Sequence, residues 1–277
     1  MTHQTYQWKN RKGQSIFAQS WKPDAAPVAL ICHIHGQSDH SSRFGHVAAF
    51  FTANGIAFYA ADLVGHGKSE GARGHVNKFD EYIETLDQLI DKATEDIPGL
   101  PLFVYGHSMG GNVALNHAFQ TQKNIRGYII TSPWIRLAFE PPAWKVALGK
   151  TVKSIYPALL QPTGLDVNAI SHDKKEVEKY AADPLVHGKI SASGFFEILT
   201  KGKDILHHAN QLHHPVLLMH GTGDLLTSYQ ATRELAAMRK DIITYKEYEG
   251  LYHEMHNEPE KNMLFNDMLN WIHLQLK

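Results

Sequence analysis

Short runs of apolar, largely β-branched residues alternate along this chain with longer segments in which apolar residues recur every three or four positions. The apolar runs cover residues 28–36, 55–62, 102–108, 127–132, 215–221 and 242–250. Their nearly unbroken hydrophobicity is typical of parallel strands that are covered on both faces. The helical patterns cover residues 43–55, 79–96, 110–122, 228–240 and 259–276. This alternation predicts an α/β domain, with a mostly parallel central sheet and helices on both of its faces.

Two stretches depart from the alternation. Residues 6–10 and 15–23, joined around Gly13, predict an antiparallel hairpin at one edge of the sheet. Between Pro133 and Leu212 the pattern is mainly helical and indicates no buried strand. We therefore expect residues 133–212 to form a helical cap inserted after the sixth strand. Residues 1–132 and 213–277 would then form the two parts of the core.

The composition excludes several classes of protein. Among 277 residues, 43% are hydrophobic and 20% are charged, as in an ordinary globular chain. Lys and Arg (27) nearly balance Asp and Glu (28), so no net field favours a nucleic acid partner. The single cysteine, Cys32, excludes an internal disulfide, and its apolar surroundings predict a buried structural role.

Targeting and metal signals are also missing from the sequence. We find no apolar leader segment and no window near the ~18 apolar residues of a spanning helix. With no disulfide pairs, these features predict a cytoplasmic protein that can still touch a membrane at its periphery. The 19 histidines lack the regular spacing of a zinc site, so no metal is expected.

The stretch VYGHSMGGNVAL, Val104 to Leu115, joins an apolar run to a helical pattern through G-x-S-x-G. Glycines at positions 106 and 110 allow the strand and helix backbones to approach closely around Ser108. The strained turn exposes the hydroxyl to substrate. It also places the Met109 N–H at the start of the helix, where the N–H can donate a hydrogen bond to negative charge that develops on the substrate. A serine alcohol is unreactive alone, so it needs a base and an acid that orients the base.

The later part of the chain supplies candidates for both partners. Asp224 follows the run 215–221, and His253 lies between the last predicted strand and the last helix. The order Ser, Asp, His is the one expected for this turn, and all three positions follow the carboxyl ends of parallel strands. Two nearby histidines are less suitable: His256 is predicted as a polar loop residue, and His220 as a packing residue at a strand end. Asp183 and Asp204 fall within the insertion, away from the sheet edge.

A second amide that could stabilise negative charge is expected in the loop after the first parallel strand. There the chain reads HIHGQSDH, and Gly36 permits a close turn. The turn would point the backbone N–H of Gln37 into the site. Gln37 and Met109 are therefore the predicted oxyanion donors.

Five motifs in fixed order carry a family resemblance. They are HGQSDHSSRF (35–44), DLVGHGKSEGARGH (62–75), YGHSMGG (105–111), HGTGDLLTS (220–228) and YHEMHNEPEK (252–261). With them the chain resembles the monoacylglycerol lipase and lysophospholipase branch of the α/β-hydrolases. The resemblance spans nearly the whole chain and is weakest across the insertion.

The resemblance implies an α/β-hydrolase fold with Ser108 as nucleophile, Asp224 and His253 as its partners, and the Gln37 and Met109 amides as the oxyanion hole. The mechanism that these residues support requires no metal and no organic cofactor. Members of the family usually carry a short side chain where Gln37 stands, so the longer amide is expected to narrow the acyl side. The segment 62–75 is predicted to form glycine-rich surface turns in which Asp62 accepts backbone N–H groups.

The insertion contains an amphipathic segment, residues 141–160. Its apolar residues Trp144, Leu148 and Val152 recur at helical spacing, and Ile155 and Leu159 continue the stripe. Three lysines, Lys145, Lys150 and Lys153, fall among them. Three interpretations remain open for Trp144, Leu148 and Val152: they pack the cap onto the core, they bind the acyl chain, or they rest on a lipid surface.

We predict a serine hydrolase that cleaves carboxylic esters of single-chain lipids, above all monoacylglycerols, through an acyl-enzyme on Ser108. Alternatives within enzymes are a lysophospholipase and a short-chain carboxylesterase or thioesterase. An alternative from another class is a ligand-binding protein on a hydrolase scaffold. The expected partners are a small lipid ester and, through the cap, a membrane surface, with no nucleic acid.

Overall fold

A computed structural model describes residues 1–277, apart from the side chain of Lys145. Any contribution of that lysine to the amphipathic segment therefore lies outside the described residues. In the described chain, eight strands form one sheet in the order β1-β2-β4-β3-β5-β6-β9-β10. Its strands are β1 (Thr2–Lys9), β2 (Ser15–Lys22), β3 (Ala29–Ile34), β4 (Ile56–Ala61), β5 (Leu102–His107), β6 (Gly127–Thr131), β9 (Val216–Gly221) and β10 (Ile243–Tyr248).

The sheet is mostly parallel, as predicted. Strands β4, β3, β5, β6, β9 and β10 run parallel to one another, while β1 and β2 form an antiparallel hairpin at the edge. The helices are α1 (Gly45–Ala53), α2 (Asp80–Asp96), α3 (Met109–Gln120), α4 (Ala143–Ile155), α5 (Lys174–Ala182), α6 (Ala192–His207), α7 (Tyr229–Met238) and α8 (Lys261–Gln275). Both the α/β-hydrolase architecture and the edge hairpin are thus confirmed.

The hydrophobic core lies on both faces of the sheet, because successive side chains of a strand point to opposite faces. In β3, Leu30 and Cys32 join the apolar cluster under α2, α3 and α7, while Ile31 joins the cluster under α1 and α8. Burial of Cys32 raises the pKa of its thiol, which agrees with a structural role.

The chain between β6 and β9 holds α4, α5 and α6 together with two short strands, β7 (Leu160–Pro162) and β8 (Lys189–Ser191). These strands pair with each other as a separate antiparallel sheet. They have three residues each, and β7 is exposed throughout, so their sequence carries no periodic signal. Helix α6 packs against α3, and its residues Ile198 and Ile205 belong to the apolar cluster of the main sheet. The boundaries 133–212 of the cap stay a prediction.

None of the described helices combines the length and the apolar character needed to cross a bilayer.

Candidate active site

The turn between β5 and α3 is tightly constrained by its glycines. Ser108 has φ +55° and ψ −119°, a backbone conformation that residues other than glycine rarely adopt. A Cβ on Gly106 would lie 2.4 Å from the carbonyl oxygen of Gly110, and one on Gly110 would lie 2.1 Å from that of Ile34. Only residues without a side chain fit at these two positions. The turn therefore holds the serine at the carboxyl end of the sheet.

Ser108, His253 and Asp224 form one continuous line of hydrogen-bonded side chains. The Nε2 atom of His253 lies 2.9 Å from Ser108 Oγ, and its Nδ1 atom lies 2.7 Å from Asp224 Oδ2. All three side chains are buried, which limits competition from water. The imidazole can accept the hydroxyl proton at one nitrogen while the carboxylate orients it from the other.

The loop after β9 holds the Asp224 carboxylate with more donors than His253 alone. Backbone N–H groups of Leu226 and Thr227 donate to Oδ1 at 2.7 and 3.0 Å. Oδ2 also accepts from the Thr227 hydroxyl at 2.8 Å and lies 3.0 Å from His220 Nε2. Burial raises the pKa of Asp224, but the charge of His253 and the hydrogen bonds of His220 and His253 outweigh it and hold the pKa well below its usual range.

His220 therefore does more than pack at the end of β9, and that interpretation of the sequence was incomplete. Its Nδ1 atom lies 2.8 Å from Thr232 Oγ1, so the ring is held at both nitrogens while it faces Asp224. The signal available in the sequence was its position four residues before Asp224.

Two carboxylates outside the triad, those of Glu254 and Asp39, also act on His253. Burial lowers the pKa of His253, but Asp224, Glu254 and Asp39 favour the imidazolium and together raise it above the ordinary value. The loop is also held in place because Ser132 Oγ donates to the His253 carbonyl oxygen at 2.9 Å. An imidazolium formed during reaction would thus be stabilised by three carboxylates.

A buried ion pair beside the triad went unnoticed in the sequence. Arg43 donates to both carboxylate oxygens of Glu254, at 2.9 and 2.6 Å, and to Asp39 at 2.9 Å. Its guanidinium lies 4.6 Å from the ring centre of Tyr180 on α5. The arginine compensates two carboxylates and lowers the pKa of Glu254 to about 2, against the effect of burial. Arg43 and Glu254 are 211 residues apart, so no local pattern could indicate their contact.

The two segments that carry the predicted oxyanion donors adjoin Ser108. A Cβ on Gly36 would be 3.1 Å from Ser108 Cβ, so the loop that carries Gln37 runs directly against the serine. Met109 begins α3 immediately after Ser108. Within the described residues, neither the Gln37 nor the Met109 amide N–H donates to another protein atom. Both amides are thus free to bind negative charge, and their role stays a prediction.

Two cavities meet near the serine. The first, about 40 Å³, is lined by Ser108, His253, Asp39 and Glu254 among others. The second, about 350 Å³, is mostly apolar and is lined by Gln37 from the core and otherwise by residues of the inserted segment 133–212. Its wall includes Leu165, Phe139, Val146, Phe195 and Phe196.

Trp144 and Leu148 do not line either cavity. Their side chains are 65% and 57% exposed, on the outward face of α4. Val152 is partly buried and also lies outside the cavity walls. The two cavities therefore do not support acyl binding by these three residues, which stays an untested prediction, and α4 turns Val146 and Gly149 toward the apolar cavity instead. Amphipathic spacing predicts a helix face but not the direction in which that face points.

Other candidates from the sequence are accounted for by the structure. His256 is fully buried and stacks on Phe44 with ring centres 4.6 Å apart, so its description as a polar loop residue was wrong. Asp183 lies 3.0 Å from His40 Nε2 and not beside the serine. The predicted contacts of Asp62 are confirmed, with the N–H groups of Ser41 and Lys68 both donating at 2.7 Å. Among the described residues, no cluster of histidine, cysteine and carboxylate side chains could hold a metal ion.

The fold and the site together define a serine hydrolase of the α/β-hydrolase class. The family model described as serine aminopeptidase, S33, matches residues 25–260. The chain is 33% identical to the monoacylglycerol lipase of Mycolicibacterium smegmatis, over 94% of this chain and 93% of that protein. It is 33% identical to the human (Homo sapiens) monoglyceride lipase, over 95% of this chain and 88% of that protein.

A solved structure agrees with these sequence matches. The monoacylglycerol lipase of Paleococcus ferrophilus superposes with a TM-score of 0.84 and 29% identity, covering 94% of this chain and 99% of that one. The chain belongs to this α/β-hydrolase family, in its monoacylglycerol lipase and lysophospholipase branch, and it is an enzyme.

Proposed function

We propose that this enzyme hydrolyses monoacylglycerols through an acyl-enzyme formed on Ser108. The observation that carries the proposal is the line from Ser108 Oγ through His253 to Asp224, at 2.9 and 2.7 Å. The apolar cavity beside this line and the names of the relatives support the choice of a lipid ester.

In the proposed mechanism, His253 Nε2 takes the Ser108 proton while the serine oxygen attacks the ester carbonyl carbon. The carbonyl oxygen becomes an oxyanion, which accepts hydrogen bonds from the Gln37 and Met109 amides. The imidazolium then gives its proton to the departing glycerol oxygen as the ester C–O bond breaks. Water repeats the sequence on the acyl-enzyme, releases the fatty acid and returns the proton to Ser108.

The size and lining of the apolar cavity support a substrate with a single acyl chain. About 350 Å³ lies at the lower end of the range in which proteins hold small ligands. Phe195, Phe196 and Val146 offer contacts to a hydrocarbon and no charge to pair with a second polar group. The polar surroundings of Ser108 itself, with Asp39 and Glu254 nearby, suit the glycerol end of such an ester.

We further propose that the outward face of the cap rests on a lipid surface. Leu148 and Ile155, 57% and 79% exposed, lie seven residues apart on one side of α4. Tyr156 and Leu159 continue the apolar surface just beyond the helix, at 59% and 43% exposure. A group of exposed apolar side chains near lysines is typical of a helix that lies in a membrane interface. A cytoplasmic setting stays a prediction.

The nucleophile is tested with a fluorophosphonate probe on the wild type, Ser108→Ala and the control Ser154→Ala, an exposed serine on α4. Labelling should disappear only in Ser108→Ala, and labelling that persists in this variant would refute the assignment.

The substrate is tested with monoacylglycerols, lysophospholipids and p-nitrophenyl esters of increasing chain length. Monoacylglycerols should give the highest kcat/KM. Turnover confined to short soluble esters would refute the lipid assignment and leave the hydrolase, and no turnover of any ester would refute ester hydrolysis as the activity.

A further inference from the structure

Gln37 occupies the boundary between the two cavities. Its side chain is only 8% exposed and lines both the small cavity at Ser108 and the larger apolar cavity. The other residues common to both walls are Trp134, Leu137 and Leu165. We call these four residues the neck. Gln37 carries the one side-chain amide of the neck, and it directly follows Gly36, which adjoins the serine. Trp134 also adjoins the serine, since its backbone N–H donates to the Ser108 carbonyl oxygen at 3.0 Å.

The Gln37 side chain is tied across the neck to the cap by one hydrogen bond. Its Nε2 donates to the carbonyl oxygen of Lys189 in β8 at 3.1 Å. Strand β8 is itself attached to the core, because Ser191 N donates to Gly74 O at 2.9 Å and Ser191 Oγ lies 2.9 Å from His75 Nδ1. The acceptor is therefore held in place, and rotation of the glutamine is the simplest way to widen the neck.

The closed position of Gln37 is not fully satisfied. Its Oε1 atom is buried and has no hydrogen-bond partner among the described residues. A buried acceptor without a partner is unfavourable, and such groups are uncommon in folded proteins. A side chain with one hydrogen bond and one unpaired oxygen can leave its position at a low cost in free energy. A fully hydrogen-bonded side chain would be harder to displace when a ligand arrives.

The cavity at Ser108 is too small for a long acyl chain. One water-sized group needs roughly 10–15 Å³, so about 40 Å³ accommodates only a few such groups. An acetyl group fits there, whereas a long chain bound to Ser108 has to extend past the neck into the apolar cavity.

We propose that the Gln37 side chain is a specificity-determining gate, which must leave the Lys189 carbonyl before a long acyl chain can pass from Ser108 into the apolar cavity. The gate discriminates by chain length, since short acyl groups remain on the serine side of it. This inference rests on the proposed function, in that it requires acyl transfer to Ser108.

The test measures kcat/KM of the wild type, Gln37→Ala and Gln37→Leu on p-nitrophenyl acetate and p-nitrophenyl palmitate. Active sites are titrated with the fluorophosphonate probe, so that only folded enzyme is counted. Gln37→Ala removes both the tether and the bulk and should raise the long-to-short ratio about fivefold, the factor that one ordinary hydrogen bond represents. Gln37→Leu removes the tether but still fills the neck, so it should raise the ratio less. The control Gln7→Ala changes an exposed glutamine on β1, at the sheet edge.

An unchanged ratio in Gln37→Ala, or an equal or larger increase in Gln37→Leu, would overturn the gate. The same would follow if Gln7→Ala shifted the ratio as far as Gln37→Ala. These outcomes differ from a failure of the proposed function. A wild type that turns over p-nitrophenyl palmitate but no monoacylglycerol would refute the substrate and leave the gate testable.

Discussion

The carboxylate of Glu258 is fully buried between the cap and the loop that carries His253. Its Oε1 accepts from the backbone N–H of Tyr252 at 2.8 Å and lies 3.0 Å from His172 Nδ1. Its Oε2 accepts from the backbone N–H of His172 at 2.9 Å and from the Ser171 hydroxyl at 3.1 Å. Because Tyr252 directly precedes His253, this carboxylate positions the catalytic loop and ties it to the segment of the cap that precedes α5.

We predict that Glu258→Gln lowers both stability and turnover. In the wild type, each carboxylate oxygen accepts a hydrogen bond from a different backbone N–H group. The glutamine keeps only one of these two oxygens. Whichever way the amide is turned, one of the two N–H groups, of Tyr252 or of His172, faces an NH₂ group and loses its acceptor. The hydroxyl of Ser171 can rotate to compensate, but a backbone donor cannot. One buried unsatisfied donor costs about 1–3 kcal/mol, and we expect a loss of about 2 kcal/mol in the free energy of unfolding.

Urea denaturation measures the stability change, and kcat on a p-nitrophenyl ester measures the positioning. We expect kcat per titrated active site to fall roughly tenfold or more, since small displacements of a catalytic group are costly. The control Glu249→Gln, at an exposed position, should change the free energy of unfolding by less than about 0.5 kcal/mol. Lost stability with unchanged kcat would show that Glu258 only supports the fold, and unchanged values of both would refute the reasoning from the hydrogen bonds.

Three further changes test the site and the cap. Asp224→Asn should lower kcat by roughly 10⁴-fold, because the imidazole loses its orienting carboxylate. Steady-state kinetics on titrated enzyme measures kcat, and a loss below tenfold would contradict the assigned role. Glu254→Gln removes a negative charge that raises the pKa of His253. The neutral base should then persist to lower pH, so the acidic limb of the kcat/KM profile should move to lower pH, and a move to higher pH would contradict the sign. Replacing both Leu148 and Ile155 by serine should lower the affinity for lipid vesicles roughly tenfold or more, since two exposed apolar side chains are removed. Co-sedimentation with vesicles measures this affinity. The control Leu274→Ser, which is 63% exposed on α8, should bind vesicles like the wild type, and equal binding by all three proteins would refute the lipid-facing surface.

Much of the fold follows from local pattern. Nearly continuous apolar runs, each followed by a helical pattern, correspond to β3–β6, β9 and β10 and to the helices that cover them. These elements can be predicted from the sequence because the periodicity of a strand or a helix depends only on residues that are close together along the chain. The two short strands of the insertion, β7 and β8, escaped prediction because three residues do not establish a period.

For the site, the sequence by itself determined the sharp turn at Ser108, since glycines two positions on either side leave few other conformations. It also placed Asp224 and His253 at the carboxyl ends of β9 and β10, where parallel strands bring their loops together. The distances of 2.9 and 2.7 Å that join them belong to the tertiary structure.

Only the tertiary structure decided which residues surround the triad and which way the cap faces. Glu254 meets Arg43, and Glu258 meets His172, across 211 and 86 residues of chain. The outward direction of Leu148 depends on how α4 packs against α6, and not on its own amphipathic spacing. The physical reason is the same in each case: burial creates a need for a partner, a counter-charge for a carboxylate and an apolar surface for a helix face. The sequence does not state which distant residues the fold will bring within reach.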